Sequence, residues 1–167
     1  MFEQQEQIPD EYLKAIGRVT VEWNQLESIL DLCLIRLLGK DLTDPRSHIV
    51  FTHMAYPQKM NALKALIGQV EIPAGSSLGR YSDEVQPLLK AASEERNKIM
   101  HSKWGMEKGQ VYRSTLQAKG ALKVSHVYVP VDDVIAACDH IIAGGEALFS
   151  AVVGQLLDDS SSPQHGQ

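Results

Sequence analysis

DEYLKAIGRVTVEWNQLESILDLCLIRLLG, residues 10–39, is the stretch that decides the fold. Tyr12, Ile16, Val19, Trp23, Leu26, Leu30, Leu34 and Leu37 recur at steps of three and four, the period of a helix with one apolar face. Asp10 after Pro9 is a good N-cap, Glu11 adds favourable charge to the first turn, and Gly39 is a natural left-handed stop. The segment reads as one unusually long helix. Ile29, Leu32 and Ile35 make its second half apolar on the opposite side as well, so that half belongs at the centre of a bundle or against another subunit.

Downstream, a polar stretch over residues 40–47 leads into a short helix over 48–54, and Pro57 starts another that runs to about residue 70. Ile72-Pro73-Ala74-Gly75-Ser76-Ser77 is loop chemistry. A fourth long helix is predicted over residues 81–102, with Pro87 early enough to be a kink or a late start. Past Trp104 the period changes to two: Val111, Tyr112, Ser114 and Leu116, then Leu122, Val124, His126, Tyr128 and Val129, suit two strands flanking Lys119-Gly120. Lys108-Gly109 allows a preceding turn and one more short strand. Pro130, Asp132 and Asp133 open a last helix with the stripe Val134, Ala137, Cys138, Ile141, Gly145, Leu148, Val152 and Leu156. Gly144-Gly145 in its middle implies a close helix approach. The expected class is mainly α: a four-helix-type bundle with a small antiparallel β-hairpin or three-stranded meander inserted before the last helix. Residues 1–157 would form a single domain and residues 158–167 a polar, disordered tail.

Composition narrows the function classes. A chain of 167 residues with 44% hydrophobic content can build a real core. No run of 18 or more apolar residues is present and residues 1–6 do not resemble a secretory signal, so a cytoplasmic protein with no membrane partner is expected. Cys33 and Cys138 fall on or beside apolar stripes, as small buried hydrophobes do in a reducing compartment. The net charge of −5 confines any nucleic-acid contact to a local basic patch.

Chemistry concentrates in Glu94-Glu95-Arg96-Asn97-Lys98-Ile99-Met100-His101-Ser102. At about 100° per residue, Val85, Leu88, Leu89, Ala92, Arg96, Ile99 and Lys103 fall near one line, which places Arg96 on an apolar stripe. A charge there must be paired, or must face a groove or a partner chain. In a straight helix His101 lies roughly 140° round from Arg96, with Asn97 one turn before it on the same side. The two side chains meet only if the helix bends or ends near His101, or if a second copy of the chain completes the site. A permanently charged guanidinium and an imidazole that exchanges protons near neutrality suffice to cleave a phosphodiester without a metal. Arg46 and His53, with six residues between them where Arg96 and His101 have four, also fall within a range of four to six intervening residues, but Arg46 is read as part of a turn after Pro45.

The segment Arg96-Asn97-Lys98-Ile99-Met100-His101 resembles the signature of the HEPN superfamily, the higher-eukaryote and prokaryote nucleotide-binding helical domains. There an arginine, commonly followed by a polar residue, precedes a histidine by four to six positions. The long first helix with Trp23 and Glu27 and the helical core also fit, while the insertion over residues 104–129 departs from the pattern. The resemblance implies a metal-independent endoribonuclease or RNA-associated protein of the toxin or defence type. Such a protein is a homodimer that places Arg96 and His101 in a shared cleft, acts on RNA, and is held in check by a cognate antitoxin or inhibitor protein. Arg96 would hold the scissile phosphate, His101 would act on the ribose 2′-hydroxyl or the leaving oxygen, and Asn97 matches the supporting polar position.

Two further residues are candidates. Glu27 lies about 40° from Trp23 on the first helix, so its carboxylate either partners Arg96 or His101 or flanks the stripe and reaches solvent. Trp104 is either core or a groove residue that stacks on a base. His48 and His53 lack metal-ligand spacing and no Glu-x-x-His pair occurs, so neither a metal nor a cofactor is expected. The alternative function is a non-catalytic helical binding or scaffold module of the same fold, with a nucleotide or protein partner.

Overall fold

The computed structural model describes residues 7–72, 76–118 and 122–161, and within these the side chains of all but 116–118, 122–123 and 155–161. The elements follow in the order α1 (Asp10–Leu37), α2 (Pro45–Thr52), α3 (Tyr56–Ile67), α4 (Gln86–Met100), β1 (Lys103–Glu107), β2 (Gln110–Ala118), β3 (Leu122–Tyr128) and α5 (Val131–Ser161). The protein is mainly α, with a small antiparallel sheet ahead of the final helix. Two compact units divide the chain, one made of Met1–Trp23 with Lys90–Ile141 and the other of Asn24–Leu89 with Ile142–Gln167. Helices α1, α4 and α5 each give residues to both.

Helix α1 starts at Asp10 itself: the Leu13 N–H donates to Pro9 O at 3.3 Å, so Pro9 holds the cap position and Asp10, expected as the N-cap, is the first helical residue, while Gly39 stops the helix as expected. At the C-terminus the Gly39 N–H donates to Arg36 O at 2.9 Å and the Lys40 N–H to Ile35 O at 3.1 Å, with Gly39 at φ 65°. That bond pair is the Schellman arrangement, open to glycine because it has no Cβ to clash in the left-handed region. Helix α2 begins at Pro45, three residues ahead of the predicted start. Asp44 takes the cap, its Oδ1 accepting from the Arg46 N–H at 3.0 Å, and proline fits the first turn because its missing N–H would have no intrahelical partner. Arg46 therefore belongs to a helix and not to a turn.

Pro87 turns out to mark a late start. A 3₁₀ turn over Leu78–Arg80 runs into a π-helical turn over Tyr81–Val85, in which the Gln86 N–H reaches back to Tyr81 O. Proline lacks the N–H that would continue the regular ladder, and the wider turn before it relieves the clash of its ring with the preceding carbonyls.

In the first unit the sheet has the order β1-β2-β3. A two-residue turn joins β1 to β2, with Lys108 at φ 51° and Gly109 at φ 76°, both in the region that a type I′ hairpin needs. The predicted turn at Lys119-Gly120 lies outside the described residues. Register places Trp104, Arg113 and Val127 side by side on one face, and Gly105, Tyr112 and Tyr128 on the other. The first face packs inward: Val111 is buried, Trp104 half-buried, and the Tyr12 and Trp104 rings lie 6.5 Å apart. Tyr12 also donates its hydroxyl to Val129 O at 2.9 Å. Ala15, Val19 and Trp23 of α1, Ala92 and Ile99 of α4, and Val134, Ala137, Cys138 and Ile141 of α5 are buried in this unit.

On the outer face, Tyr112 meets His126 edge to face at 4.9 Å and Tyr128 at 6.2 Å. Its ring lies over Gly105, where an added Cβ would sit 2.6 Å from the ring end. Gly105→Ala is expected to push that ring out of both edge contacts and to cost about 1 kcal/mol. A urea titration and the ring-current shifts of His126 check this.

The second unit is built on Leu26, Leu30, Leu34 and Ile35 of α1, Phe51 of α2, Leu63 and Ile67 of α3, Leu89, and Leu148 and Val152 of α5, all buried. The close approach predicted at Gly144-Gly145 is present: a Cβ on Gly145 would lie 3.3 Å from Ile29 Cδ1, and one on Gly144 3.7 Å from Leu26 Cδ1. Lys59 of α3 is 5% exposed and its Nζ lies 2.6 Å from Asp31 Oδ1 of α1.

Helix α5 runs to Ser161, where a disordered tail was expected from residue 158; residues 162–167 lie outside the described residues. Its stretch Val131–Gly154 is long and apolar enough to span a membrane by length and composition. A core helix has the same composition, and Val134, Cys138, Ile141, Leu148 and Val152 on it are buried.

Burial also settles the state of the cysteines. Both are free, and burial pushes the Cys33 thiol up to about 12 and raises that of Cys138. Burial likewise lifts the Tyr81 phenol to about 12. Groups that hold their protons longer when folded contribute stability fully below their unfolded pKa values, near 9 for a thiol and near 10 for tyrosine. That contribution is lost as pH rises toward the folded values. The melting temperature is therefore expected to fall as pH rises above about 9. Both thiols should resist alkylation at about pH 8 until the chain is unfolded, because the thiolate is the reactive form.

Candidate functional site

Helix α4 positions the arginine and ends in time to release the histidine. Its last carbonyls are taken by side chains from beyond the helix: Ser102 Oγ donates to Lys98 O at 2.6 Å, and the Trp104 indole N–H donates to Ile99 O at 3.0 Å. These donors satisfy groups that a helix end otherwise leaves open, and they turn the chain into β1. His101 follows the last helical residue, so its side chain is freed from the 140° separation of a straight helix.

The consequence is a contact within one chain. Arg96 Nη1 lies 3.3 Å from His101 Nε2 and 3.0 Å from Asn97 Oδ1. A guanidinium has only donors, so Nε2 accepts and the imidazole carries its proton on Nδ1. Asn97 and His101 are exposed and Arg96 is half-buried. The guanidinium carbon lies 5.2 Å from the centroid of the Trp23 ring, within the range of a cation–π contact. Arg96 Nε is buried with no acceptor among the described residues. The apolar-stripe reading of Arg96 is thus met by an aromatic face on one side and polar partners on the other.

The other sequence candidates are placed as follows. Trp104 spends its indole N–H on the helix end and packs against Tyr12, leaving it half-buried. Glu27 is half-buried in the second unit and makes no ion pair among the described residues. Its negative charge adds, after burial and the neighbouring Tyr81, to the forces that raise the Tyr56 phenol. Among the described residues no group of three or more His, Cys, Asp or Glu side chains is placed to hold a metal ion.

A second cluster escaped sequence reading. His140 Nδ1 of α5 lies 2.7 Å from Glu95 Oε2 of α4, at the rim of a groove of about 370 Å³ that also takes in Lys98, Arg113, Val127 and Tyr128. Glu95 and His140 are 45 positions apart, so no local pattern announces them. Arg113 carried no local signal either, since Val111, Thr115 and Gln117, which share its face of β2, do not alternate as an inward face would. Neither this groove nor the one beside Tyr12 and Pro130 is lined by Arg96 or His101. No protein-family model, no curated protein and no solved structure matches this chain.

Proposed function

We propose that the protein is a metal-independent endoribonuclease or RNA-associated protein of the toxin or defence type, cytoplasmic and acting as a homodimer, with Arg96 and His101 as its reactive pair. The observation that carries this reading is the 3.3 Å contact between Arg96 Nη1 and His101 Nε2 on an exposed helix end. The likeness of residues 96–101 to the HEPN signature supports it, and that likeness brings in the RNA substrate and a cognate antitoxin or inhibitor.

The geometry suggests how the pair would work. At rest the His101 lone pair is occupied by an Arg96 N–H. A phosphodiester is a stronger acceptor than a neutral ring, because it carries a full negative charge and offers two oxygens to the guanidinium fork. Arrival of the scissile phosphate would draw the guanidinium onto its oxygens and leave Nε2 free to take the 2′-hydroxyl proton. The 2′-oxygen then attacks phosphorus and the 5′-oxygen leaves, picking up a proton from solvent. The products are a 2′,3′-cyclic phosphate and a 5′-hydroxyl end. Asn97 Oδ1, bonded to the same Nη1, holds the guanidinium during the exchange.

The test is degradation of single-stranded RNA in a chelator by the purified chain, with DNA of the same sequence left intact for want of the 2′-hydroxyl. A scaffold module of the same fold is the second reading. It draws on the stacking of Arg96 on Trp23 and on its buried Nε, which suit an arginine that serves packing alone. Under that reading RNA survives.

A further inference from the structure

We propose that the groove at Arg113 is a phosphate-binding site, separate from the Arg96–His101 pair, that takes a phosphoryl group attached to a nucleoside. It stands whether or not the chain cleaves RNA.

Arg113 is the first reason. It is half-buried on the inward face of the sheet, and its guanidinium makes no hydrogen bond or ion pair among the described residues. A half-buried guanidinium with its fork of donors unclaimed is held ready for an oxyanion that enters the groove. Lys98, exposed on the same groove, adds a second cation with no ion pair among the described residues.

The acidic residues of the groove do not supply that partner. Glu95 is engaged by His140 at 2.7 Å, and Asp133 is exposed to water. Because Nδ1 of His140 is turned to the carboxylate, its Nε2 is the ring nitrogen left for a ligand. A planar guanidinium, an ammonium and a directed imidazole match the several oxygens of a phosphoryl group.

Size and wall chemistry extend the ligand beyond a bare ion. About 370 Å³ falls within the range of small-molecule pockets, and Val127, Val134 and Ala137 offer an apolar wall for the nucleoside.

Binding to the full chain is measured by calorimetry with three probes: inorganic phosphate, adenosine monophosphate, and a 2′-O-methyl oligoribonucleotide with 5′-hydroxyl ends, which a 2′-hydroxyl mechanism cannot cut. Adenosine monophosphate is expected to bind more tightly than phosphate. Arg113→Ala should weaken it at least about tenfold, Lys98→Ala by a smaller factor, and Arg80→Ala, which removes an exposed charge elsewhere, not at all. Binding of the monophosphate without the oligomer identifies a terminal phosphate. Binding of the oligomer, lost in the same variants, identifies the internal phosphates of a strand. The proposal is overturned if none of the three probes binds, or if the parent binds and Lys98→Ala and Arg113→Lys bind equally well. These two variants keep the question open to decision should Arg113→Ala fail to fold.

Discussion

Asp31→Ala is expected to remove about 3–5 kcal/mol of folding stability. Lys59 is 5% exposed, and its Nζ has Asp31 Oδ1 at 2.6 Å. The contact is an ion pair more than a directed hydrogen bond, since Oδ1 has no partner in good hydrogen-bond geometry. Without the carboxylate the ammonium is left buried and uncompensated. The reverse deletion should cost less, because the Asp31 side chain is 20% exposed and can turn to water once Lys59 is gone. An apolar exchange at both positions, Asp31→Leu with Lys59→Met, is expected to fold with a stability near the parent's. A buried pair recovers little more than its own desolvation, and well-packed apolar groups do as well. Urea midpoints of the three variants decide the matter; a loss under about 1 kcal/mol for Asp31→Ala would show that the ammonium finds water by another route.

That ion pair also marks how far the sequence could be read. The argument that singled out Arg96, a charge on an apolar stripe, applies equally to Lys59, which stands four and eight residues before the buried Leu63 and Ile67. It is a local signal and was open to reading. Its partner was not, because Asp31 lies two turns of α1 past Trp23 in a helix that is apolar nearly all round, and nothing local distinguishes a carboxylate facing another helix from one facing water. The long helices were legible for the complementary reason: α1 and α5 carry their own period, caps and stops, and Asp10, Gly39 and Asp132 mark boundaries that depend on neighbours a few residues away. The early start of α2 at Pro45 was also written locally, in Asp44-Pro45, but a polar composition masked it.

For the candidate site the division is similar. The meeting of Arg96 with His101 hinged on where α4 stops, and the stop depends on Ser102 and Trp104 reaching back to Lys98 O and Ile99 O. A helical wheel continues past that point and holds the two residues apart. The groove at Arg113 was out of reach, since Glu95, Arg113 and His140 come from three elements that only tertiary structure brings together.

His101→Ala is expected to lower RNA cleavage in chelator by about 10²–10⁴-fold, the usual contribution of a positioned general base or acid. Arg96→Ala should lower it by about 10²–10³-fold, as loss of a donor aimed at developing phosphoryl charge does. Stability separates this from a packing role. His101 is exposed, so its loss should leave the melting temperature unchanged. Removing Arg96 forfeits its contact with the Trp23 ring, worth about 0.5–1 kcal/mol, but also removes the buried Nε that has no acceptor. The two effects oppose each other and the net shift should be small. Arg96→Lys divides the reading further: an ammonium keeps the charge over Trp23 but cannot present paired donors to two phosphoryl oxygens while still touching Asn97. Folding should then be preserved and most of the cleavage lost. If the parent leaves RNA intact, or if all three variants cut as fast as it does, the 3.3 Å contact is structural and the fold serves a binding module.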